Sequence, residues 1–411
     1  MALGFIFTLF VVRGIEVDYF GRIVTCLSIT GIQVAIADLG AREAFKAFYL
    51  NSDDASKNKK QIINCALLTS LGYAAMSCTL AFLLLKEIDY QLASTYLLIA
   101  LTVPSASFQC LDLIDEANKQ FKKIVMAYYT AILISIPIRC LLIFGDKWGF
   151  GDSPSMAASY IVTPLIITCV YVALYSRNLT ALISSIAIRR AIEILKSCRL
   201  VVLAVFFASV TANLEILWAA FFISKAFAGE VGFVMRLFSP GIALSLALAV
   251  VSFPALSKSI AETSLIDNRT ILRVFREANM ASFLFILAIG LGSIFLYQYW
   301  LPQDYTNIWW LFIAFGICFP LTCHGNLRKN IFILLGRQNL LFKSTLYTIV
   351  IKIVILGTLG IIFGKYALLP ACALSMLWAN LIYAKNDSVF RSIYSSQLRS
   401  FSILEAIKDK P

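Results

Sequence analysis

STLYTIVIKIVILGTLGIIF (344–363), then Gly364 and Lys365, then YALLPACALSMLWANLIYA (366–384) is the stretch that decides the fold. Each run supplies about the 20 apolar residues needed to cross a hydrocarbon layer about 30 Å thick. Two residues separate them, so the chain crosses and returns at once. Only Lys352 interrupts the first run, close to its middle.

The rest of the chain agrees. Of its 411 residues, 60% are hydrophobic and 14% charged, with a mean hydropathy of +0.83. Soluble domains carry about 25% charged residues. A soluble body of this size has no interior large enough for so much apolar surface. The composition therefore excludes a cytoplasmic enzyme, a secreted disulfide scaffold and a disordered chain, and predicts an all-α polytopic membrane protein.

Twelve runs read as spans: 1–12, 23–40, 62–85, 92–114, 124–144, 155–175, 200–222, 231–253, 278–298, 306–325, 344–363 and 366–384. The first is too short to cross, since twelve residues at 1.5 Å each reach about 18 Å, so it reads as an incomplete span or a start other than the natural one. No basic n-region and cleavage site marks a signal peptide.

The net charge of +12 is mostly topology. Segments after the even-numbered runs hold 26 of the 35 Lys and Arg, Arg42, Lys57, Lys59 and Lys60 among them. Those after the odd runs hold 6: Arg13, Arg22, Lys86, Lys147, Lys225 and Lys365. Basic loops stay in the cytoplasm, which predicts cytoplasmic termini and attraction to anionic lipids. A nucleic-acid partner is thereby dropped.

Loops on the other side are short, so no extramembrane domain is expected. The stretch 176–199 (SRNLTALISSIAIRRAIEILKSCR) has helical apolar spacing around Arg189, Arg190 and Lys196, which suits an amphipathic helix on the inner membrane face. It divides the chain into an N-terminal lobe (1–175, spans 1–6), a cytoplasmic connector (176–199), a C-terminal lobe (200–384, spans 7–12) and a cytoplasmic tail (385–411). A faint parallel repeat relates DYFGRIV (18–24) to GEVGFVM (229–235), aligning Gly21 with Gly232. Pro104, Pro137, Pro164, Pro240, Pro320 and Pro370 interrupt spans and predict kinks.

Little enzymatic chemistry is on offer. One histidine, His324, supports neither a metal site nor a Ser-His-Asp triad. The ten cysteines show no CxxC spacing and read as packing residues. No catalytic or metal-ligating set is expected. What stands out is three basic residues inside spans, Arg139, Arg236 and Lys352, against one deep acid, Glu215. A charge at mid-bilayer costs about 2.5–3.5 kcal/mol on insertion scales. Arg139 and Arg236 lie near span ends and can snorkel; Lys352 is central. A basic bias suits an anionic ligand, with Arg gripping phosphate oxygens bidentately and Lys acting as a point charge.

Four stretches carry a family resemblance: VVRGIEVDYFGRIVTCLSI (11–29) running on into IADLGAREA (36–44), NLEILWAAFFISKAFAGEVGFVMRL (213–237), FPALSK (253–258) and FILLGRQN (332–339). In these the chain resembles the Wzx-like polysaccharide-biosynthesis flippases of the MATE-fold (MOP) exporter superfamily. Arg13, Arg42, Glu215, Arg236 and Arg337 fall on the matching motifs. The resemblance implies two six-helix lobes in a MATE-like V around a cavity. It implies a transporter, not an enzyme: a flippase for undecaprenyl-diphosphate-linked oligosaccharide units of O-antigen, lipopolysaccharide, capsule or exopolysaccharide, in the bacterial inner membrane. Its partners would be the lipid-linked glycan and the polymerase and chain-length machinery. Arg13, Arg139, Arg236 and Lys352 are the candidates for neutralising the diphosphate. Glu215 is the candidate for an ion pair or for coupling to a proton or sodium gradient, with no cofactor. The alternatives are a MATE-type multidrug cation antiporter, which should show an excess of buried acids, and a membrane polymerase or ligase, which needs a larger outer loop.

Overall fold

The computed structural model describes residues 2–37, 56–111, 121–144, 153–179, 199–263, 268–301, 305–335 and 337–401, with isolated positions between 189 and 196. Where described, each of the twelve apolar runs falls on helix: α1 (Ala2–Gly14), α2 (Val17–Ala37), α3 (Ser56–Ile88), α4 (Tyr90–Ile99), α5 (Thr102–Ser107), α6 (Phe121–Phe144), α7 (Ser153–Leu179), α8 (Arg199–Trp218), α9 (Lys225–Thr263), α10 (Asn268–Tyr299), α11 (Ile308–Leu334), α12 (Gln338–Phe363) and α13 (Leu368–Asn386). A further helix, α14 (Ser388–Arg399), follows the last run. No strand occurs among the described residues.

Eight stretches of the described residues are long and apolar enough to cross a membrane, the last covering both α12 and α13. Their outer faces confirm the solvent. On α10, Met280, Phe283, Leu284, Leu287, Leu291, Ile294 and Phe295 are all exposed at helical spacing. A contiguous apolar stripe of that length is not tolerated in water, whereas in lipid it is the natural surface of a helix whose backbone bonds are internal. The chain is thus a multi-pass, all-α membrane protein.

Close packing groups the chain into two units, 14–229 and 1–13 with 230–411. In the first, α2 is central and touches α3, α4, α5 and α8. Its buried row includes Phe20, Ile23, Val24 and Cys26. Polar ties fix its register: Gln33 Nε2 donates to the Ser77 carbonyl (2.9 Å) and Gln33 Oε1 accepts from Tyr96 Oη (2.8 Å). Ser209 Oγ of α8 donates to the Gly31 carbonyl (3.1 Å). In an apolar medium such bonds are retained because an unpaired polar group costs several kcal/mol.

Proline accounts for one break. The predicted run 92–114 is split between α4 and α5, and Pro104 is the third residue of α5. It has no N–H for the Ala100 carbonyl, which instead accepts from Val103 N at 3.0 Å. Pro137, Pro164 and Pro320 lie within continuous helices.

The turn from α8 to α9 is shorter than the sequence suggests. α8 widens into a π-helical turn, Ala219–Ile223, and one extended residue, Ser224, follows. Its Oγ accepts from Phe227 N at 3.0 Å and starts α9. Gly21 and Gly229 let the backbones of α2 and early α9 touch. A Cβ on Gly229 would sit 2.6 Å from the Val17 carbonyl oxygen, and one on Gly21 would fall on the Lys225 carbonyl. Gly21 therefore matters through contact with Lys225–Gly229, a role the alignment with Gly232 does not convey.

In the second unit, Phe238 of α9 meets Phe285 of α10 and Phe312 and Phe319 of α11, with ring centroids 5.3–6.4 Å apart. α1 joins this unit up to Arg13. Trp300 Nε1 donates to the Leu9 carbonyl at 2.9 Å, and its ring packs edge-on against Phe10.

Candidate functional site

The charged residues singled out above are divided between the units. Arg139 and Glu215 lie in the 14–229 unit; Arg13, Arg236 and Lys352 lie in the other.

Arg139 is carried by α6, two residues beyond Pro137, and is 7% exposed. Its guanidinium stands 6.0 Å from the ring centre of Tyr160 on α7, the helix that packs most closely on α6. Thr163 Oγ1 donates to Ser135 Oγ across the same pair (3.0 Å). Snorkelling therefore does not describe Arg139, whose side chain stays inside the protein. Glu215, on α8, is 4% exposed.

Lys352 is 1% exposed, one of the largest fully buried side chains. It sits mid-way along α12, whose closest neighbour is α13. Burying an ammonium is unfavourable unless groups around it compensate or a ligand makes use of it. Arg236 on α9 is half-buried. Arg13 is exposed at the end of α1, 4.6 Å from the Trp300 ring centre. That cation–π contact matches an interface anchor. Arg337 is exposed at the start of α12. Arg42 and most of the 176–199 connector lie outside the described residues.

One part of the charge inventory needs correction. Three cations facing one acid becomes, by burial, Arg139 and Lys352 against Glu215 and Glu230 among the described residues. Glu230 is 4% exposed because α9 begins early, at Lys225, and draws it into the helix. Its role is nonetheless visible. Oε2 accepts from Asn307 N (2.7 Å) and Oε1 from Asn307 Nδ2 (2.9 Å), capping the start of α11. Asn307 Oδ1 in turn accepts from Lys365 Nζ (2.8 Å) and Trp310 Nε1 (3.3 Å). Glu230 is thus engaged in a clamp joining α9, α11 and the turn before α13. The signal for it was an acid, EVGF, at the threshold of an apolar run.

His324 is fully buried, its ring between Phe275 (4.8 Å) and Phe401 (5.0 Å). It is a packing residue. No cluster of three metal-ligating side chains occurs among the described residues.

The helix order, lipid-facing stripes and buried charges define a multi-pass membrane protein with charged side chains enclosed among its helices. Comparison with solved structures sharpens this. The chain is similar to an inward-facing multidrug-resistance MATE family transporter of the MOP superfamily (TM-score 0.66, 12% identity, 98% of this chain and 95% of that one). It is similar to the lipid II flippase MurJ in an inward closed conformation (0.64, 13%, 100% and 92%) and to a eukaryotic MATE transporter, AtDTX14 (0.61, 12%, 97% and 98%). No family model and no curated protein matches the sequence. The chain therefore shares the fold of these solved structures over essentially its whole length.

Proposed function

We propose that this chain is a flippase for undecaprenyl-diphosphate-linked oligosaccharides, acting in the bacterial inner membrane during surface-polysaccharide assembly. The observation that carries the reading is Lys352, a cation buried at mid-helix in a chain of exporter fold. Arg139 supports it from the other unit. A diphosphate needs such neutralisation on its way across a low-dielectric barrier. The headgroup passes through the protein while the polyprenyl tail stays in lipid. Both termini face the cytoplasm, following the distribution of basic loops. Arg139 and Lys352 are the principal diphosphate ligands. Arg236 guides the headgroup, and Arg13 assists at the outer end. Glu215 takes a proton or cation to drive the return.

A multidrug resistance transporter shares the fold, and the buried acids Glu215 and Glu230 would suit a cationic drug, the alternative cargo of a cation antiporter. Glu230 is occupied in capping α11, so it is not offered to a cationic cargo. Deleting the gene decides between the two. Loss of displayed polysaccharide with unchanged tolerance to cationic drugs is expected. Normal display with heightened drug sensitivity would overturn the proposal.

A further inference from the structure

The chain does not end its structured part with the last apolar run. α13 stops at Asn386, and Asp387 turns the backbone and caps α14, its carboxylate accepting from Phe390 N at 2.9 Å. The corner is locked from the other side by Arg391, which donates to the Ala384 and Lys385 carbonyls at the end of α13 (both 2.8 Å). α14 then lies across the ends of α10 and α13.

Its two faces differ. One is buried: Phe390, Ile393, Tyr394 and Gln397. Phe390 stacks on Phe332 of α11 (5.5 Å), Gln397 Oε1 accepts from Arg328 Nη1 of α11 (3.0 Å), and Ser400 Oγ accepts from Asn279 Nδ2 of α10 (2.9 Å). The other is exposed and carries Arg391, Ser395 and Arg399 at i, i+4 and i+8, with Leu398 beside them and Phe401 just past the helix end. Lys385 is exposed at the corner. The helix contains no acid, and Asp387 is committed to its cap.

We propose that this outer face of α14 is a docking surface for the anionic phospholipid headgroups of the leaflet next to the ends of α10, α11 and α13. The charge is complementary, with Lys385, Arg399 and the free edge of Arg391 facing phosphates. Leu398, with the outer edge of Phe401 whose ring also covers His324, supplies the apolar edge that an interfacial helix inserts at the headgroup boundary. The position follows from the corner: a helix that begins two residues after a span ends, and is fastened across three spans, lies at the level of the interface. The surface pins one membrane face of the 230–411 unit to the bilayer, independently of what the protein carries.

The test uses the intact protein in nanodiscs of phosphatidylcholine alone or with phosphatidylglycerol, read by amide hydrogen exchange over 388–401. Each basic residue near an anionic surface contributes about 1 kcal/mol, which is about a fivefold change. Exchange should slow severalfold with phosphatidylglycerol. The Lys385→Gln/Arg399→Gln pair, which spares the Arg391 cap, should abolish most of that slowing. High salt should do the same to the unaltered protein, which covers a variant that fails to fold. Inorganic phosphate added to phosphatidylcholine discs should give no slowing. Equal exchange in the two lipids, slowing that survives both neutralisation and salt, or slowing by free phosphate would overturn the proposal.

Discussion

Gly21→Ala tests the backbone contact between α2 and the start of α9. A Cβ at Gly21 would land on the Lys225 carbonyl oxygen and 3.1 Å from the Gly229 nitrogen. Both are backbone atoms, so no rotamer change relieves the clash and the two helices must part. Overpacking costs about 1–3 kcal/mol, with the upper end expected where backbone has to move. Alanine regains about 0.5–1 kcal/mol over glycine within a helix. The net is a loss of about 2 kcal/mol. Gly72 and Gly357 are controls, since a Cβ at either meets nothing within 4 Å. The assay is thermal unfolding of the purified protein in detergent, where about 2.1 cal/mol/K of unfolding entropy per residue makes 1 kcal/mol worth about 1 °C in a chain of 411 residues. Gly21→Ala should melt about 2 °C lower, while Gly72→Ala and Gly357→Ala should hold or rise slightly. A Gly21→Ala protein as stable as the two controls would refute the close-approach reasoning.

Glu230→Gln keeps the shape of the clamp but removes its charge, and hydrogen bonds to charged groups are worth about 1.5–3 kcal/mol against about 1 for neutral ones; amide exchange at the start of α11 should quicken about tenfold or less. Trp300→Phe removes the donor to the Leu9 carbonyl at about 1 kcal/mol, and should speed exchange in the last turn of α1 without affecting α14. Gln33→Leu removes the Gln33 acceptor of Tyr96 Oη and the side-chain donor to the Ser77 carbonyl, costing about 1–3 kcal/mol. Adding Tyr96→Phe should recover part of this loss, a non-additivity that a double-mutant cycle measures.

The helices were legible because lipid imposes a simple code: about 20 apolar residues per crossing. Lys352 stood out for the same reason, as a charge where charges are expensive, and burial agrees. Other features depend on tertiary partners. Glu230 looks like a loop residue until the turn before α9 shrinks to Ser224. Arg13 and Arg139 are the same residue type near span ends, yet one rests exposed on Trp300 and the other is enclosed beside Tyr160. α14 is short, with no span-like signal; Phe390, Ile393 and Tyr394 stand at helical spacing, but which elements that face packs on, α10, α11 and α13, follows only from the fold. Glycines were visible as letters, but which of them is a backbone contact, as Gly21 is, and which is open, as Gly357 is, follows from neighbours distant in sequence.

The central claim is that buried cations carry a lipid-linked diphosphate across. The most direct measurement reconstitutes the protein in proteoliposomes with a fluorescent undecaprenyl-diphosphate-linked oligosaccharide and follows how much label an external reagent reaches with time. The unaltered protein should move the label between leaflets. Arg139→Gln/Lys352→Gln, folded by the thermal assay above, should slow that movement at least tenfold, while the transfer of an uncharged polyprenyl analogue stays at background in both. Unchanged flipping by the folded double variant would contradict the account.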